Sequence, residues 1–180
     1  MSTLITKDRL DELVAYAKKA PEGGYFAEVG VYKGGSLKLL AMSFPERKIL
    51  GFDTFEGLPS AQWSTIEPHK AGDFSDTSKE AVSELLGDFN KNVELIKGLF
   101  PGSAESVKDY KFSFVHVDTD FYLGVKACIE WFWPRLLPGG IIVFDDYEWM
   151  ACPGVKKALD ESGKPFGRTN AQYQAYMIKE

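Results

Sequence analysis

The sequence predicts a doubly wound α/β fold: a mostly parallel seven-stranded sheet with helices on both faces and an antiparallel hairpin at the C-terminal end. Three observations predict it. Short apolar runs alternate with amphipathic stretches of helical period, which implies crossover connections and hence parallel strands. No internal repeat, low-complexity tract or linker-like shift interrupts this alternation across the 180 residues, and 44% hydrophobic content suffices for one well-buried core. Four strands end near an acid, at Glu28, Asp53, Asp118 and Asp145, and such sheets bind ligands beyond the carboxyl ends of their strands. Residues 1–180 therefore read as a single domain, with residues 1–22 as an N-terminal helical segment.

The elements follow in order. A first helix from Thr6 to Ala20 sets Leu10, Leu13, Val14 and Ala17 on one face, with Thr6 placed to cap it and Pro21 to close it. "YFAEVG" is a short buried strand, followed by the turn "VYKGG" and the helix "SLKLLAMSF". "KILGFD" is the second strand. After a polar, irregular stretch, "TSKEAVSELLGDF" forms a helix with Thr77 and Glu80 at capping-box spacing and Val82, Leu85, Leu86 and Phe89 on its apolar face. "NVELIKG" is strand three, and a short helix around residues 104–107 leads into strand four, "FSFVHVD". In "YLGVKACIEWFWPRL", Val125, Cys128, Ile129 and Phe132 recur at helical spacing. "PGG" turns into strand five, "IIVFDD"; a last helix, "GVKKALDES", precedes "KPFGRT" and "QYQAYMIK", which pair as the terminal hairpin.

Composition narrows the partners. A formal charge of −5 with no basic block argues against nucleic acid or an anionic membrane surface and favours a small molecule. The start, "MSTLITKDRLDELV", lacks a basic region followed by an apolar one, and no window reaches the length of a membrane span, so a cytoplasmic protein is expected. Cys128 and Cys152 have no paired spacing and read as packing residues, with neither a disulfide nor a zinc site expected. Trp131 and Trp133 either seek cover in a homo-oligomer or lie buried.

The first strand runs into "EVGVYKGGS". Glycines at positions 30 and 34 let the backbone turn tightly and approach a ligand, and the amides at Gly35 and Ser36 favour an anion, a carboxylate as readily as a phosphate. Glu28 is suited to an ammonium group, and Asp53 stands where an acid hydrogen-bonds ribose hydroxyls. An amino acid joined to a nucleoside satisfies all of these, and S-adenosylmethionine is such a molecule. Taken alone, the glycine turn is equally compatible with plain strand-on-helix packing.

"FAEVGVYKGGS", "GFDTFEGLP", "GDFSDTS", "HVDTDFY" and "LPGGIIVFDDY", in order from about Phe26 to Ala158, resemble the macrocin O-methyltransferase family. Its members are metal-dependent enzymes that methylate sugar hydroxyls of natural products. The resemblance implies a class I, Rossmann-like methyltransferase fold, S-adenosylmethionine across the first strands, and cofactor contacts from Glu28, Gly30, Tyr32, Ser36, Asp53 and Thr54. Compared with longer members, the chain has a single helix ahead of the first strand. The acceptor pocket is then either more open or completed by another subunit.

At the acidic end, Asp118, Asp145 and Asp146 come from neighbouring strand ends, and their oxygens suit Mg²⁺ with an open face for vicinal hydroxyls. Asp120 shares a face with Asp118 if the strand stays extended, and the resemblance assigns the second acid of D-x-D as the general base. Asp145 and Asp146 can also be ordinary turn residues. His116 reads as a hydrogen-bonded core histidine rather than a base. The long loop at residues 55–76, with Trp63 and Phe74, reads as a lid over the acceptor, or else as a surface loop without function. The expected activity is Mg²⁺-dependent O-methylation of a sugar or other vicinal diol by S-adenosylmethionine. The alternatives are a non-catalytic module that binds the cofactor or the metal, and a nucleotide-sugar glycosyltransferase using "DTD" for a metal–diphosphate.

Overall fold

The computed structural model of the protein describes residues 3–60 and 68–180. Its centre is a seven-stranded sheet in the order β3-β2-β1-β4-β5-β7-β6. The strands are β1 (Tyr25–Val29), β2 (Ile49–Asp53), β3 (Val93–Lys97), β4 (Phe112–Val117), β5 (Leu136–Asp145), β6 (Gly167–Arg168) and β7 (Gln174–Ile178). The first five run parallel, and β7 lies antiparallel to both β5 and β6, as the expected hairpin. The order reverses between β1 and β4, so the chain leaves β1 toward one side and β4 toward the other. That reversal opens a crevice at the carboxyl ends of the two central strands.

Helices α1 (Lys7–Ala17), α2 (Gly35–Ser43) and α3 (Lys79–Leu86) cover one face, where Leu13, Leu37, Leu40 and Val82 pack with Phe26, Ile49, Phe114 and Val143 of the sheet. Helices α4 (Tyr122–Phe132) and α5 (Pro153–Glu161) cover the other, packing Val125, Ile129, Phe132 and Leu159 on Val29, Phe52, Val115 and Phe144. β4 is buried at every position, which is why its sequence does not alternate. Trp131 is half-buried and packs its ring against Phe100, Phe112 and Phe132; Trp133 is half-buried beside Lys164 and Lys179.

Several local expectations are corrected. Thr6 stands at the N-cap of α1 but makes no side-chain cap bond; its hydroxyl turns to Asp8, and the helix stops at Ala17, three residues short of the expected end. Ser78, not Thr77, caps α3 by accepting from the Ala81 N–H, because Thr77 spends its hydroxyl on the Tyr32 carbonyl. "PGG" does not turn into β5. The strand runs through it, with a register shift between Phe112 and Phe114 that absorbs the extra residues and Gly139 at φ 77°.

Candidate active site

The β1–α2 turn shows what its glycines are for. A Cβ on Gly30, at φ +92°, would come 1.8 Å from the Asp118 carbonyl oxygen, so a side chain there would separate β1 from the end of β4. Gly34 adopts φ 79° as the N-cap of α2. Asp53, closing β2, draws the turn down: its Oδ2 accepts the Val31 and Tyr32 N–H groups, both at 2.8 Å, and its Oδ1 accepts that of Phe55 at 2.7 Å. The Thr54 hydroxyl donates to the Gly57 carbonyl at 2.7 Å, which leaves Asp53 Oδ1 able to accept one more donor. Glu28 is buried, with one oxygen accepting from Ser36 Oγ at 2.9 Å and the other 3.1 Å from His116 Nδ1. It stands behind Ser36 and does not face the cavity.

The acids gather one strand away. Val117 of β4 pairs with Phe144 of β5, so Asp118 and Asp145 leave the sheet side by side. The structure joins Asp118 and Asp146 to Asp120: one oxygen from each lies within 4.8 Å of the others. Extended geometry is not the reason. β4 ends at Val117, and Asp120 and Asp146 adopt left-handed backbone at φ 59° and 60°, which returns their carboxylates to the cluster. Asp145 belongs to a deeper set with His116 and Asp118 and is bonded by Arg9 and by Gln174 Nε2.

Charge is unbalanced here. Burial, reinforced by Asp145 and Asp146, pushes the Asp118 carboxyl well above its usual range. Burial and Asp146 push Asp120 up to about 7. Burial raises Asp145 to about 6 against the opposing pull of Arg9 and His116. At His116, burial opposes protonation, but the bond to Glu28 outweighs it and raises the imidazole above its ordinary value. His116 Nε2 is buried without a partner among the described residues, and one nitrogen of the ring lies within 4.8 Å of oxygens of Asp118 and Asp145. Clustered carboxylates with too few donors, an all-oxygen set and an unpartnered imidazole nitrogen fit a divalent cation.

Sequence reasoning missed Arg9. Its guanidinium reaches Asp145 Oδ2 at 3.1 Å and Asp146 Oδ1 at 2.8 Å from α1. A signal existed: Arg9 falls on the helical face of Leu13 and Tyr16, a charge on an apolar stripe. Cys152 was read as packing alone, yet its Sγ lies 3.4 Å from Asp120 Oδ1 and 3.7 Å from Asp146 Oδ2.

One cavity of about 340 Å³ joins the two ends. Gly30, Tyr32, Ser36, Asp53 and Thr54 line it at the turn, and Asp118, Asp120, Asp145 and Asp146 at the acids. The described parts of the 55–76 loop close its side, with Leu58 and Asp73 exchanging a backbone bond of 2.8 Å and Phe74 edge-on to Tyr32. Trp63 lies outside the described residues. Among the described residues no helix is long and apolar enough to cross a membrane.

Sheet order and crevice define a class I methyltransferase fold. Two solved structures share it: the O-methyltransferase NovP, with TM-score 0.82 and 20% identity over 98% of this chain and 81% of that one, and the calicheamicin methyltransferase CalS11, with TM-score 0.81 and 22% identity over 95% and 78%. The sequence profile of the macrocin O-methyltransferase (TylF) family matches residues 1–165, and the chain belongs to that family. It is 27% identical over 169 residues to the 8-demethyl-8-(2,3-dimethoxy-alpha-L-rhamnosyl)-tetracenomycin-C 4'-O-methyltransferase of Streptomyces olivaceus, covering 83% of this chain and 64% of the relative. It is 24% identical over 152 residues to the demethyldecarbamoylnovobiocin O-methyltransferase of Streptomyces niveus, covering 77% and 57%. The chain thus spans less than two thirds of the length of these two relatives.

Proposed function

We propose that the protein is an S-adenosylmethionine-dependent O-methyltransferase that uses a divalent cation, Mg²⁺ or a similar ion, and acts on a hydroxyl of a sugar or other vicinal-diol small molecule. The observation that carries this reading is the continuity of the cavity, which puts the glycine turn and the acid cluster on the walls of one chamber. Family membership and the name of one relative, a rhamnosyl-tetracenomycin-C 4'-O-methyltransferase, support the same reaction class.

Bound S-adenosylmethionine supplies the activated methyl group. Gly30 lines the cavity where the cofactor would lie, and the amides opening α2 at Gly35 and Ser36 favour its carboxylate. Glu28 fixes the Ser36 hydroxyl and through it serves the amino end, while Asp53 keeps acceptor capacity for a ribose hydroxyl. Tyr32 and Thr54 complete the wall. Asp118, Asp145 and Asp146 would hold the cation; Asp118 belongs to both clusters, meeting Asp120 and Asp146 in one and Asp145 and His116 in the other. A bound Mg²⁺ stabilises the alkoxide form of a hydroxyl by Lewis acidity. Asp120 accepts the hydroxyl proton; burial and the neighbouring Asp146 raise the proton affinity of its carboxyl in the metal-free protein. Leu4, Ile5 and Trp149 also line the cavity and offer the acceptor apolar surface.

Calorimetric titration with S-adenosylmethionine, with and without Mg²⁺, tests the cofactor half; absence of binding removes the proposal. Asp120→Asn is expected to retain cofactor affinity and lower the transfer rate by roughly 10²–10⁴-fold, the usual contribution of a general base. Undiminished transfer by that variant would take the role from Asp120, and transfer unaffected by chelator would remove the metal.

A further inference from the structure

We propose that His69, Asp120 and Cys152 form a second cation site, selective for a thiophilic divalent ion such as Zn²⁺, and that its occupation withdraws Asp120 from methyl transfer. One nitrogen, one oxygen and one sulfur from these side chains lie within 4.8 Å of one another. They arrive from three parts of the chain: the loop before α3, the link from β4 to α4, and the residue preceding α5. In a tetrahedral zinc site, bonds of about 2.3 Å to sulfur and about 2.1 Å to oxygen place those two ligand atoms about 3.6 Å apart. Cys152 Sγ stands 3.4 Å from Asp120 Oδ1 and 3.7 Å from Asp146 Oδ2. The sulfur and the Asp120 carboxylate thus already stand one edge of such a polyhedron apart, and the imidazole of His69, within 4.8 Å of both, is the third donor.

Donor type separates this site from the all-oxygen set next to it. Mg²⁺ takes oxygen ligands, whereas thiolate and imidazole select zinc-like ions. The thiol proton leaves for solvent as the sulfur–cation bond forms, so binding releases one proton. Cys128 also borders the cavity but belongs to no such cluster among the described residues. A carboxylate engaged as a ligand here cannot accept a hydroxyl proton. This inhibitory consequence rests on the reading of Asp120 as the base; the site itself does not.

The test titrates Co²⁺, a spectroscopic substitute for Zn²⁺, into the full chain in excess Mg²⁺ and follows the near-ultraviolet charge-transfer band of a cobalt–thiolate bond. One equivalent should give the band in the wild-type protein. Cys152→Ser should abolish it, Cys128→Ser should leave it, and His69→Ala should weaken Co²⁺ binding by more than roughly tenfold, the scale on which even outer partners of a metal act. No band in the wild-type protein, or a band surviving in Cys152→Ser, overturns the site. Should Cys152→Ser fail to fold, the loop variant decides: unchanged Co²⁺ affinity in His69→Ala overturns it equally. Zn²⁺ should also suppress methyl transfer in the wild-type protein at the concentration that fills the site, and transfer undisturbed at full occupancy overturns the inhibitory half. The band needs neither cofactor nor acceptor, so its outcome is independent of the methyltransferase assignment.

Discussion

Arg9 reaches into the acid cluster from a different element and a distant part of the chain. Its side chain is 13% exposed and that of Asp145 only 1%, so this is a buried pair. Removing one partner of such a pair costs about 3–5 kcal/mol, because the other charge is left behind in a poorly solvated place. Asp145 has an escape: it can take up a proton. Arg9 opposes the upward push on a carboxyl that already stands at about 6, so its removal raises that value further. Below about 6 the carboxyl is protonated with or without Arg9, and above it the variant alone must strip the proton from an unpaired acid. Arg9→Met is therefore expected to lose about 3 kcal/mol at pH 8 and clearly less at pH 5, measured by urea denaturation. Equal losses at the two pH values would show that packing, not charge, is what Arg9 contributes. The residue-scale reading from sequence found the four aspartates because strand ends announce themselves. It expected Asp120 beside Asp118 through an extended strand, whereas their proximity depends on a left-handed backbone that no spacing rule encodes.

At the scale of elements, the turn between β1 and α2 is where the two halves of the site touch. Gly30 donates its N–H to the Phe52 carbonyl while the Asp118 N–H bonds to the Val29 carbonyl, both at 2.9 Å. A methyl group at position 30 must displace the β4 end and also adopt a left-handed φ. Gly30→Ala is expected to cost at least ~2 kcal/mol and to weaken cofactor and cation binding together, as differential scanning calorimetry and titration would register. Loss of cofactor affinity with cation affinity intact would mean that the halves are mechanically independent. Strands and helices were legible because apolar period and strand-end acids point the same way. Boundaries were not: Thr77 and Ser78 both suit an N-cap, and a tertiary bond from Thr77 to the Tyr32 carbonyl decides between them. The passage of β5 through "PGG" was hidden because a bulge uses the same residues as a turn.

For the whole molecule, the acid cluster makes stability depend on pH and on metal. Asp118, Asp120 and Asp145 have folded pKa values above their unfolded ones near 4. A carboxyl raised in this way binds its proton more tightly when folded, so its contribution is fully present below the unfolded value and is lost as pH climbs toward the folded one. The metal-free protein should accordingly lose stability from this cluster between about pH 4 and 7. Mg²⁺, binding the ionised form, should raise the melting temperature at pH 8 by at least ~2–4 °C, equivalent to about 1 kcal/mol for a domain of this size, and far less at pH 5. A rise of the same size at both pH values would disconnect the ion from these acids. The hairpin adds a constraint in time. Gln174 of β7 donates to Asp145 and also to the carbonyl of Arg9, 165 positions away in sequence. During synthesis the sheet from β1 to β4 can collapse early, but the clasp around Asp145 must wait for β7 to emerge and return to α1, so the acid cluster is completed only after the parallel strands that carry it.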